Sequence, residues 1–119
     1  MMRRIGTAAA AIVLMAGCAS TSAPTEQMAV SRAAVSNAMG AGGNQFAPVQ
    51  IKSALDKMDA AEQAMAAKDY ELALRLAEQA EVDAKLAAEM ARSAKAQQAA
   101  AALQDDIRVL RQEIDRQSK

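Results

Sequence analysis

The chain has 119 residues, with 14 basic and 14 acidic side chains, 52% apolar residues but only 2% aromatic ones, no histidine and a single cysteine. Balanced charge without a basic patch or aromatic stacking platform speaks against nucleic-acid binding, and the missing histidine removes the side chain best suited to proton transfer near neutral pH. One thiol cannot close an intrachain disulfide, so packed helices must hold the domain together.

Residues 1–17 read as a signal peptide in three parts. Arg3 and Arg4 make the positive start, Ile5 to Leu14 an Ala-rich apolar run, and Met15-Ala16-Gly17 a small-residue approach to Cys18. The run is shorter than the roughly 20 apolar residues needed to cross a bilayer, and Ser20, Thr21 and Ser22 follow at once, so cleavage is expected. Removing this segment leaves twelve basic residues against fourteen acidic ones, a net charge of about −2.

Leu14-Met15-Ala16-Gly17-Cys18 resembles the bacterial lipobox, although Met15 stands where Leu is commoner. The resemblance implies a diacylglycerol thioether on the Cys18 sulfur and, after cleavage, an acyl chain on its new amino group. Several chains, each worth about 0.8 kcal/mol per buried methylene, would give a stable anchor. With Ala19 rather than Asp after the cysteine, the analogy places the protein in the outer membrane, facing the periplasm. Apart from this covalent lipid, no cofactor is expected.

Residues 18–27 form a lipidated tether, and a helical domain occupies residues 28–119, with its first helix beginning inside the tether at Pro24. The expected fold is all-α. A first helix covers residues 24–41 with Met28, Val35 and Met39 as its apolar stripe, and Gly40, Gly42 and Gly43 end it. Phe46 reads as a loop anchor, and Pro48 suits the first turn of a second helix over residues 48–67. Ile51, Leu55, Met58, Ala61 and Met65 recur on it at spacings of three and four.

Lys68-Asp69-Tyr70 marks a turn, where Asp69 caps a third helix over residues 69–117 and Glu71 complements its dipole. A short turn makes the second and third helices antiparallel neighbours, with Leu72, Leu76, Val82, Leu86 and Met90 expected against the Ile51 to Met65 stripe. Alanines at 61, 64, 73, 77, 80, 84 and 87 permit close approach but bury little apolar area each, which predicts modest stability.

The third helix outruns the second. Beyond about Arg92 it carries Leu103, Ile107, Leu110 and Ile114 at spacings of four, three and four, the pattern of a coiled-coil seam, with Ala96 and Ala100 in phase upstream. Arg111 and Asp115 are placed for an intrahelical ion pair. Three occupants suit this seam: the first helix folded over it, a second copy of the chain, or a helix of another envelope protein.

Other chemistry is sparse. Asp105 and Asp106 are adjacent, so on a helix they point about 100° apart and do not converge on one ion. Met28, Met39, Met58, Met65 and Met90 have helical spacing without a tight cluster, which suits core filling better than copper(I) binding. No metal and no small-molecule substrate are expected, and an enzyme is disfavoured for want of a convergent site.

Phe46-Ala47-Pro48-Val49, Ala54-Leu55-Asp56-Lys57-Met58, Asp69-Tyr70-Glu71-Leu72-Ala73 and the run from Leu76 to Ala87 resemble a family of small, Ala-rich, helical Gram-negative lipoproteins, the domain-of-unknown-function 4398 family. That resemblance implies an envelope location and a helical fold, and supplies no catalytic residue. Asp69, Tyr70, Ala73 and Ala80 are also similar to half of a tetratricopeptide repeat in which Lys68 replaces a glycine; a single unit cannot build a solenoid. The function expected is that of a non-catalytic structural or adaptor lipoprotein of the outer membrane working through helix–helix contacts. The alternative is a covalent peptidoglycan tether through Lys119, similar to the major outer-membrane lipoprotein, although Gln117-Ser118-Lys119 lacks that protein's Tyr-Arg-Lys ending.

Overall fold

The computed structural model of the chain describes residues 22–119. Four helices follow one another: α1, Thr25–Gly40; α2, Gly43–Phe46; α3, Pro48–Ala66; and α4, Tyr70–Gln117. The three long helices lie within about two residues of the bounds read from the sequence. The single turn α2 departs from the expectation of a loop around Phe46: that residue closes a helical turn instead.

Local chemistry explains each boundary. Gly42 adopts a left-handed φ of 101°, which terminates α1, and its amide donates to the Met39 carbonyl at 3.0 Å. Gly43 is required for space: a Cβ there would stand 2.7 Å from the Ala38 carbonyl oxygen and 2.8 Å from Ile51 Cδ1. Pro48 opens α3 at a position where its missing N–H costs nothing.

The end of α3 is a Schellman closure. The Asp69 amide donates to the Ala64 carbonyl at 2.9 Å and the Lys68 amide to that of Met65 at 3.0 Å. Lys68 holds the left-handed position with φ 61°, where glycine is the common choice. Asp69 then caps α4, its Oδ1 accepting from the Leu72 amide at 3.2 Å.

α1, α3 and α4 form an up–down–up bundle. Ser53 and Lys57 of α3 reach Asp83 of α4 across the antiparallel pair. α1 runs parallel to α4: Thr25 and Met28 lie beside Met65 near the α3–α4 turn, while Gly42 at the other end lies against Lys95. The bundle therefore ends near Lys95, and α4, 48 residues and about 72 Å long, continues for about 33 Å at 1.5 Å per residue with no other described helix beside it.

The core sets larger apolar side chains of α1 and α3 against an all-alanine face of α4. Met28, Ser31, Val35 and Ala38 come from α1; Ile51, Ala54, Met58, Ala61 and Ala64 from α3; Ala73, Ala77, Ala80, Ala84, Ala87, Ala88 and Ala91 from α4. This corrects the expected packing. Val82, Leu86 and Met90 face outward, as do Leu55 and Met39, and Leu72 and Leu76 are only half-buried. On α4, alanine recurs at 73, 77, 80, 84, 87 and 91 with spacings of four, three, four, three and four, whereas Leu76 and Val82 are six apart. Unbroken heptad spacing, more than residue size, selects the face that meets two neighbours over several turns. Alanine on that face lets the axes close in to the short end of the usual 8–10 Å separation.

Polar side chains line the edges of this core. Ser31 is fully buried, and its Oγ donates to the Ala77 carbonyl at 2.7 Å. Gln27 Nε2 donates to Glu81 at 2.6 Å, Lys57 Nζ to Asp83 at 2.5 Å and Ser53 Oγ to Asp83 at 2.7 Å. Arg32 pairs with Glu62 between α1 and α3 at 2.8 Å, in water. These contacts set the rotation of each helix, which a smooth alanine surface would leave poorly specified.

Candidate interaction seam

The free stretch of α4 carries the sequence-predicted seam, and the structure leaves it bare. Leu103 is 61% exposed, Ile107 42%, Leu110 62% and Ile114 65%, on one continuous helix. All four are brought onto one side of α4. α1 does not cover them, because it packs beside α3 against the alanine face and stops level with Lys95. The seam is also no continuation of the bundle core. In the alanine phase, the positions after Ala91 are Ala94, Gln98, Ala101, Asp105 and Arg108, a face that turns polar. Leu103 lies five residues past Gln98, about 140° around the helix at about 100° per residue.

In heptad terms, Leu103 and Leu110 occupy d, Ile107 and Ile114 occupy a, and Ala96 and Ala100 continue the pattern toward the bundle. The same register upstream places Val82 at d and Leu86 at a, both outward-facing at 64% and 49% exposure. Glu89 and Ser93 interrupt the stripe between this upstream pair and Ala96. Flanking charges are arranged locally: Arg108 Nη2 pairs with Asp105 at 3.0 Å, and Arg116 with Glu113. The expected Arg111–Asp115 pair does not form. Among the described residues, neither Arg111 nor Asp106 takes part in an ion pair.

Elsewhere the polar groups are engaged with one another. Asp83 is pushed up by burial, yet the hydrogen bonds from Lys57 and Ser53 outweigh this and hold its carboxyl below the ordinary value of 3.8. Hydrogen bonds from Lys85 and then Gln27 hold Glu81 below its ordinary 4.5. The groove of about 600 Å³ beside Pro48, Val49, Lys52, Asp56 and Leu76 lies open along α3. Among the described residues, no three His, Cys, Asp or Glu side chains are grouped to hold a metal ion, and no helix is long and apolar enough to cross a membrane.

Cys18 and the signal peptide expected over residues 1–17 lie outside the described residues. Lys119 follows the end of α4 and is exposed at its far tip. Tyr70 is half-buried at the hairpin end, consistent with a packing role, and Phe46 is half-buried against Gly42.

Comparison with curated proteins and with solved structures gave no match. A family model described as Domain of unknown function (DUF4398) matches residues 26–103, which spans α1, the bundle and the first turns of the free helix. The match stops at Leu103, so Ile107, Leu110 and Ile114 lie beyond it. With most of its helical domain covered, the chain belongs to the DUF4398 family.

Proposed function

We propose that this protein is a non-catalytic lipoprotein of the outer membrane, anchored at Cys18 and acting as a structural or adaptor module in the periplasm. The observation that carries this reading is the direction of the helices. α1 and α4 both start at the end of the bundle next to the α3–α4 turn, and the free stretch of α4 leaves from the opposite end. A chain fastened just ahead of α1 would hold the bundle at the membrane surface and carry the Leu103 to Ile114 seam outward. The seam would then stand well beyond the headgroups, since α4 is about 72 Å long at 1.5 Å per residue. Such an arrangement presents a docking edge for helices and leaves the lipid as the sole attachment to the bilayer.

Cys18→Ser tests the anchor. The expected result is an unprocessed precursor and loss of firm membrane association of the mature domain; normal processing with unchanged membrane retention would overturn the reading. A second reading, covalent attachment of Lys119 to peptidoglycan, is favoured by the exposure of that residue at the tip farthest from α1. Muramidase digestion of purified cell wall would then release the protein carrying a muropeptide on the Lys119 ε-amine.

A further inference from the structure

The occupant of the bare seam is written in its a, d, e and g positions. We propose that the Leu103 to Ile114 seam pairs, parallel and in register, with the same seam of a second copy of this chain. The proposal rests on the helix-docking reading above and names the partner.

Two independent features carry it. The first is side-chain shape. Ile107 and Ile114 at a with Leu103 and Leu110 at d is the combination that favours two parallel strands, because β-branched side chains fit the a layers and leucine the d layers of that geometry. The second is charge. In a parallel pair, a g residue faces the e residue five positions later on the other chain. Asp106 is at g and Arg111 at e, so each chain's Asp106 meets the other's Arg111, twice by symmetry. Both residues stand outside every ion pair among the described residues, as does Asp115 on the same stretch, while their neighbours Asp105, Arg108, Glu113 and Arg116 are paired within the helix. In an antiparallel pair, e faces e and g faces g, which would bring Arg111 toward Arg111 and set Asp106 and Glu113 against one another. The charge pattern thus selects orientation as well as partner.

The rest of the molecule accommodates this arrangement. The alanine core of the bundle lies on a different side of α4, so two copies can join along the free stretch without disturbing α1 or α3. Small Ala96 and Ala100 let the two helices remain close as they approach the bundles. Two strongly apolar heptads make a short zipper. Anchoring both copies in one membrane would orient them alike and raise their effective concentration.

The test uses the full-length chain in its native membrane. Leu103→Cys and Ile114→Cys are made separately, oxidised mildly and separated without reductant, with Gln112→Cys at the outward f position and the parent protein as background. Disulfide-linked homodimers from both seam variants, and none above background from Gln112→Cys, are expected. Residues 103 and 114 are about 16 Å apart along the helix, so only a parallel, in-register pair lets each meet its own copy. Self-linking at one position alone would overturn the parallel register. Adducts only with other proteins would overturn the second-copy assignment and leave helix docking intact, whereas no adduct of any kind would overturn both. As a second measurement, Arg111→Glu should lower Ile114→Cys dimer yield several-fold by facing Asp106 with a like charge, and adding Asp106→Arg should restore it. Loss without restoration by the exchanged pair would overturn the proposed register.

Discussion

The two halves of α4 use the same heptad spacing for opposite ends. From Ala73 to Ala91 the in-phase residues are alanines and all are buried; from Leu103 to Ile114 they are leucine and isoleucine and all are exposed. Size therefore does not decide burial in this chain. Neighbours do: α1 and α3 both lie against the alanine half, α1 ending and α3 beginning toward the Lys95 end of the bundle. Small side chains let those neighbours come close, which recovers in contact density part of what alanine lacks in apolar area. In the free half, where none of the described helices lies alongside α4, the in-phase positions carry large residues instead.

The strongest way to break this contrast is to place a large residue in each half. Ala84→Leu should destabilise the bundle by about 3 kcal/mol through overpacking, lowering the melting temperature by at least about 12 °C, while Ala101→Leu in the exposed half should change it by no more than about 0.5 kcal/mol. Thermal unfolding followed by circular dichroism reads both, and equal losses would mean that the halves do not differ in packing. Next in size is Gly43→Ala, which puts a Cβ 2.7 Å from the Ala38 carbonyl oxygen and should cost about 2 kcal/mol in denaturant unfolding.

A smaller effect concerns the polar edge of the bundle. Asp83 and Glu81 both have folded pKa values below their ordinary 3.8 and 4.5, so the folded state binds protons less readily than the unfolded chain. Their stabilisation is complete above those ordinary values and is lost as pH falls through the lower folded ones. Unfolding midpoints measured from pH 6 down to pH 2 should decline across that window, and Asp83→Asn should flatten the decline. Smallest is Lys68→Gly, expected to gain about 0.5 kcal/mol by relieving the left-handed φ of 61°. A loss instead would mean that the lysine side chain contributes more than its backbone conformation costs.

Much of the fold was legible because its signals are local. Proline at the first turn of α3, glycines after α1 and the Asp69 cap each act within four residues, so helix bounds follow from the order of residues alone. The short turn around Lys68 and Asp69 similarly forces α3 and α4 to lie antiparallel. The seam was legible for the same reason, since the spacing of Leu103, Ile107, Leu110 and Ile114 is a property of one helix. Reading α4's buried face from Leu72, Leu76, Val82, Leu86 and Met90 misplaced it. Those residues break heptad phase between Leu76 and Val82, and the unbroken alanine series beside them was the better signal.

By itself the sequence determined that the chain is helical, where its helices begin and end, and that one of them is too long for its partner. Tertiary structure alone decided that α1 lies parallel to α4 and stops at Lys95, that Val82, Leu86 and Met90 are turned away from the alanine contact, and that the apolar seam is left to water. The reason is that a helix's bounds depend on backbone groups a few residues apart, whereas the choice of buried face depends on how closely two other helices can approach it. That distance belongs to all three helices at once.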